Sequence, residues 1–177
     1  TTAIATLDQL HRQGVDLSLR HVSDGLLGAH WPGRLEILSQ NPLLVVDGAH
    51  NVDSVQRMMD TLVEDLPYNR LIVVAGFSAD KNIAGMMEVL TSRADELILT
   101  KSVHPRSAEP EKIAGQAGQA KARVTVVNDV SSALWEALKR AGSDDLVCVT
   151  GSLFVVAEAR AAWLDAQGVH FERDPQL

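Results

Sequence analysis

The chain has 177 residues, 46% hydrophobic but only 4% aromatic, with a formal charge of −7 and a single cysteine. That is enough for one packed domain with a core of Val, Leu, Ile and Ala, which favours parallel strands covered by helices over an aromatic-rich barrel or sandwich. The negative balance argues against a nucleic-acid or anionic-membrane binder, because phosphate backbones need a basic face, and one cysteine excludes an internal disulfide framework.

In chain order, Ile4, Leu7, Leu10 and His11 predict a first helix closed by Gly14. Val22, Leu26 and Leu27 predict a second, capped by Ser18 or Ser23. Trp31-Pro32-Gly33-Arg34 then marks a turn. Residues 1–30 therefore read as a helical segment, expected to be the tail of a preceding domain, and 31–177 as the domain proper. The opening Thr1-Thr2, without a methionine, is expected of a processed or excised piece. Glu36 to Leu38 begins an expected edge strand that turns at Asn41-Pro42 to pair with the run from Leu43. Short apolar runs at 43–46, 71–75, 96–99, 124–127 and 146–149 predict further strands. Between them, Val55, Met58, Met59, Leu62, Val63 and Leu66 share one helical stripe over 51–66. Ile83, Met86, Met87 and Leu90 form the next, and further helices are expected near 109–120, 130–141 and 153–167. This alternation predicts βαβ crossovers, hence an α/β, doubly wound, mostly parallel sheet with helices on both faces. No signal peptide, lipidation motif or transmembrane run is legible, so cytoplasmic residence is the expectation.

Ligands of such sheets bind beyond the carboxyl ends of the strands. That rule selects Asp47-Gly48-Ala49-His50, Gly76-Phe77-Ser78, Thr100-Lys101 and Thr150-Gly151-Ser152. Asp47 can accept from a ribose hydroxyl pair or simply cap the next helix. Gly48 lets a ligand approach the backbone, and the N–H groups around Asn51 can face an anion. Arg34 offers a fork of donors to phosphate or a surface salt bridge to Glu36. Asp80 can cap the following helix, and Lys81 can reach an anionic substrate or merely be solvated. Lys101, His104 and Arg106 form a basic loop, able to attract an anionic tail or ordinary in its exposure. Ser152 can help hold a carboxylate at a helix start or act as a plain N-cap. Cys148, inside an apolar run, reads as a core thiol. Two features carry nothing: the run 115–121 lacks the spacing and strand context of a phosphate loop, and the six histidines have no metal-ligand spacing.

Taken in order, Pro32-Gly33-Arg34-Leu35-Glu36, Asp47-Gly48-Ala49-His50-Asn51, Asp80-Lys81, Pro105-Arg106-Ser107 and Thr150-Gly151-Ser152 resemble the folylpolyglutamate synthase/dihydrofolate synthase family of Mur-type ligases. The likeness runs over essentially the whole chain. It implies a Rossmann-like C-terminal domain that closes over ATP held mainly by an N-terminal P-loop domain. On that resemblance Arg34 would clamp the phosphates, Asp47 would contact the ribose, and His50 would lie at the phosphate or incoming-glutamate side. Arg34 and His50 are the implied catalytic residues, while Lys81, Arg106 and Ser152 fall to the substrate. Thr2 stands where the family carries an adenine-contacting Asn and cannot reproduce a bidentate amide. Val52 replaces a frequent Pro, and Asn82 replaces an Asp.

The implied reaction is ATP-dependent joining of L-glutamate to a pteroate or folate through an acyl phosphate. Mg²⁺ would be held by ligands in the N-terminal domain, so the chain alone is expected to be inactive. The other reading is a stand-alone nucleotide- or folate-binding module, with a peptidoglycan-type Mur ligase a more distant choice.

Overall fold

A computed structural model describes residues 2–115 and 122–169. It divides into two compact units, Thr1–Pro32 and Gly33–Leu177. In the first, α1 (Thr2–Arg12) and α2 (Leu19–Leu27) are the two expected helices. Ser18, not Ser23, caps α2, its side chain accepting from the His21 N–H while the His21 ring accepts from the Ser18 N–H. Such reciprocal capping satisfies two donors at the helix start.

The second unit opens with the expected hairpin, β1 (Glu36–Gln40) antiparallel to β2 (Leu43–Val46) across a cis Asn41–Pro42 bond. There follow α3 (Val52–Asp65), β3 (Leu71–Ala75), α4 (Ile83–Arg93), β4 (Glu96–Leu99), α5 (Pro110–Ala114), β5 (Arg123–Val126), α6 (Val130–Arg140), β6 (Leu146–Thr150) and α7 (Leu153–Ala166). The sheet order is β1-β2-β6-β3-β4-β5, and every pairing except β1 with β2 is parallel. The fifth expected helix is described only to its first turns, and residues 116–121, with most of the glycine–glutamine run, lie outside the described residues, as does His170.

Strand periodicity sorts the core into two layers. Val45, Val73, Leu97 and Cys148 face α3, α4 and α5. Leu44, Val46, Ile72, Val74 and Val147 face α6 and α7. β2, β3 and β6 are buried along their whole length, which is why they read as continuous apolar runs rather than alternating ones. Cys148 belongs to this interior, its Sγ 3.8 Å from the sulfur of Met58. Burial, and then the nearby Asp47 carboxylate, push its thiol pKa up, so it has no nucleophilic character.

An ionic lattice closes the amino ends of the strands. Arg70 donates to Asp145 at 2.7 and 3.1 Å and to the Arg140 carbonyl, while Arg140 reaches Glu96 at 3.1 Å. The Arg70 guanidinium holds the Asp145 carboxyl below its ordinary range. A depressed folded pKa stabilises the native state above the unfolded value, about pH 4, and that contribution is lost as pH falls through the lower folded value. Urea midpoints should therefore fall more steeply below about pH 4 for the wild type than for Asp145→Asn. Parallel profiles for the two would show that the pair does not contribute.

Candidate functional site

Helices that follow β2 and β3 cover one face, whereas α7, following β6 between them, covers the other. The connections thus part on either side of β6. A crevice at the carboxyl ends is the topological consequence. The loops after β2, β3 and β6 meet there.

Asp47 continues β2 and is 8% exposed. Its Oδ2 accepts from the Leu35 N–H at 2.9 Å and its Oδ1 from the Ala49 N–H at 2.8 Å. It does not cap α3. Asn51 does so, accepting from the Ser54 N–H at 2.8 Å. Asp47 therefore buckles the 33–36 loop to its own, and each oxygen retains a lone pair for a further donor. The Gly48 N–H donates to the Gly33 carbonyl at 2.8 Å, the second stitch between these loops. A Cβ on Gly48 would overlap the end of the exposed Leu153 side chain, which would have to turn aside.

Arg34 sits on this stitched loop and is exposed. The expected alternative partner, Glu36, is engaged elsewhere. Both of its carboxylate oxygens accept from Arg160 Nε of α7, at 2.9 and 3.0 Å, and Oε2 also takes the Gly33 N–H at 2.7 Å. The salt bridge between Arg34 and Glu36 is thereby replaced by one that fastens the loop. Among the described residues the Arg34 guanidinium has no ion pair. It is an exposed cation on a loop fastened by the Gly33, Leu35 and Gly48 N–H groups.

His50, on the facing loop, is exposed, with Nδ1 2.8 Å from the Gly48 carbonyl. A carbonyl only accepts, so Nδ1 carries the hydrogen and the neutral ring presents Nε2 as an acceptor. Ser152 caps α7, its hydroxyl accepting from the Phe154 N–H at 3.2 Å. Gly151, with φ +95°, makes the preceding turn and donates to the Ala49 carbonyl at 3.0 Å. A Cβ at Gly151 would lie 2.6 Å from the Gly76 carbonyl oxygen. Gly151→Ala should therefore cost about 3 kcal/mol of stability in urea unfolding, and a loss below about 0.5 kcal/mol would contradict this geometry.

The remaining candidates form a neighbouring cluster. The 101–108 loop folds onto the end of β3 through the Ser78–Ser107 bridge and the Ala79 N–H, which donates to the Arg106 carbonyl at 2.8 Å. Lys81 pairs with Asp80 at 3.0 Å, and that contact holds the Asp80 carboxyl below its ordinary range. Asp80 is not the cap of α4; Asn82 is, accepting from the Gly85 N–H. Lys101 is neutralised by Glu109 at 2.8 Å, leaving His104 and Arg106 as the outward basic groups. Thr2 lies in the first turn of α1, in the other unit, where its carbonyl accepts from the Thr6 hydroxyl. Arg34, Asp47, His50 and Ser152 thus gather at the stitched loops, and Lys81 and Arg106 at the adjoining cluster.

Among the described residues no group of three His, Cys, Asp or Glu is placed to hold a metal. Sequence reasoning passed over Glu36 with Arg160 and Phe154 with His104, because both pairings join residues far apart in the chain.

Residues 33–153 match the model of the Mur ligase, glutamate ligase domain. A Halobacterium salinarum protein named "Probable bifunctional folylpolyglutamate synthase/dihydropteroate synthase" is 37% identical over 155 residues, covering 87% of this chain and 19% of that protein. The solved structure described as "E.coli FolC in complex with DHPP and ADP" superposes with a TM-score of 0.81 at 28% identity, over 92% of this chain and 38% of that one. A bifunctional folylpolyglutamate synthase/dihydrofolate synthase solved with Mn, AMPPNP and L-glutamate bound gives 0.76 at 30% identity over 92% of this chain and 38% of that one. The chain therefore spans well under half the length of the proteins it resembles.

Proposed function

The chain belongs to the Mur ligase family through its glutamate ligase domain, and on that premise we propose that it is the C-terminal domain of an ATP-dependent ligase joining L-glutamate to a pteroate or folate. The observation that carries this reading is the extent of the family match. It begins at Gly33 and ends at Leu153, enclosing both loop clusters. Solved relatives holding adenine nucleotides and L-glutamate supply the ligand classes.

In this reading ATP phosphorylates the pteroate or folate carboxylate, and the glutamate amine displaces phosphate from the resulting acyl phosphate. Arg34 supplies a guanidinium fork to phosphate oxygens as charge develops on them, the term most open to enhancement in phosphoryl transfer. The lone pairs left on Asp47 take ribose hydroxyls. His50, held in the Nδ1–H tautomer by the Gly48 carbonyl, presents Nε2 as an acceptor to an N–H of the incoming amine; a contact to phosphate would need the ring protonated, with Nε2 donating. Ser152 and Arg106 face the amino-acid carboxylates, with Lys81 beside them, and Thr2 is the residue that stands at the family's adenine-contacting position. The phosphate loop and the Mg²⁺ ligands belong to a preceding N-terminal domain, the chain's principal partner. No helix among the described residues is long and apolar enough to cross a membrane, and the reading places the ligase in the cytoplasm.

The chain alone, given ATP, a folate substrate and L-glutamate, should release no ADP above background. The complete ligase should release ADP only when all three are present. Turnover by the isolated chain at an ordinary enzymatic rate would sink the division of labour. Nucleotide binding without turnover in the complete protein would favour the stand-alone binding module.

A further inference from the structure

Phe154 occupies the second position of α7 and is 36% exposed, so it is not a core residue. Yet two basic side chains of another loop lie against its ring. The His104 imidazole stacks on it with centroids 3.7 Å apart and planes 15° from parallel. The Arg106 guanidinium lies 5.9 Å from its centroid. Both basic groups come from a loop with little apolar anchorage of its own, for Val103 is 92% exposed and Pro105 and Arg106 are exposed as well.

We propose that Phe154 is a positioning residue for the amino-acid side of the reaction, a platform that holds His104 and Arg106 aimed at the carboxylates of a small dicarboxylic amino acid. This rests on the ligase reading above. An aromatic face attracts a cation and stacks on an imidazole, whereas an aliphatic side chain of similar bulk offers only contact area. The backbone that carries the ring is held at the helix start, where the Ser152 hydroxyl accepts from the Phe154 N–H. One turn along, Glu158 Oε1 takes the Val103 N–H at 2.9 Å and ties the loop to the same helix. Within the loop, the Arg106 N–H donates to His104 Nδ1 at 3.1 Å, so the stacked imidazole sets the backbone that carries Arg106. A long guanidinium ordered before substrate arrives loses less rotamer freedom on binding.

The test uses the complete ligase with Phe154→Leu, Phe154→Ala and Phe154→Tyr. Leu and Ala should raise KM for L-glutamate about tenfold while KM for ATP stays within about twofold and the melting temperature is unchanged. Tyr, which keeps the ring, should stay close to wild type. Leu keeps the apolar bulk, so the result does not depend on the folding of the Ala variant. A Leu variant with wild-type KM for glutamate, or a parallel rise in both KM values, would overturn the platform while leaving the ligase reading intact. A wild-type complete protein that ligates no amino acid would bring down that reading and the platform with it.

Discussion

Arg34→Ala in the complete ligase is expected to lower kcat by about a hundredfold or more, with KM for ATP changed by no more than about threefold. The size follows from where the side chain stands. Its guanidinium is exposed and, among the described residues, makes no ion pair, so removing it breaks no internal contact. Its loop is held independently of it, by the Gly33 N–H on Glu36, the Leu35 N–H on Asp47 and the Gly48 N–H on the Gly33 carbonyl. Stability should therefore be untouched, and whatever is lost belongs to chemistry. A contact that strengthens as charge spreads over the transferring phosphoryl group appears in kcat rather than in binding. Arg34→Lys keeps the charge but not the planar fork and should fall between the two. An Ala variant within about threefold of wild-type kcat would remove Arg34 from the catalytic machinery.

Asp47→Ala should have two separable effects. The first is on stability: it strands the Leu35 and Ala49 N–H groups in a buried setting, at about 1–3 kcal/mol for each donor that finds no water. Asn is a poor substitute, because its NH₂ would point at one of the two donors. The second is on nucleotide affinity, with KM for ATP rising about tenfold if a ribose contact is lost. Measured together, urea unfolding and initial rates over an ATP series divide the roles. Loss of stability with unchanged KM for ATP would leave Asp47 as a loop fastener and end its assignment to the ribose.

The parallel sheet was legible because β2, β3 and β6 are buried on both faces and composed almost wholly of Leu, Ile, Val, Ala and Cys. The helices were legible from their stripes, Met58, Met59 and Leu62 of α3 among them. The site was legible only as a set of strand-end loops. Which partner Asp47 or Glu36 takes depends on loops brought together by the sheet, and Arg160 meets Glu36 across 124 positions. Local spacing carries no trace of such a pairing. Capping shows the limit at short range, since Asp80 and Asn82 are both good caps in composition. The backbone starts α4 at Ile83, and that decides for Asn82.

The place of β6 in the sheet has a consequence for how the protein is made. Among the described residues it is the last strand in sequence, yet it stands between β2 and β3 and pairs with both. While the chain is still emerging from the ribosome, β1 with β2 and β3 with β4 and β5 can form only two separate ribbons, each with an apolar edge awaiting the same missing strand. Unpaired apolar edges invite mispairing. Until residue 150 is free of the exit tunnel, the loops that follow β2 and β3 have no common floor, so the crevice and the sheet are completed together.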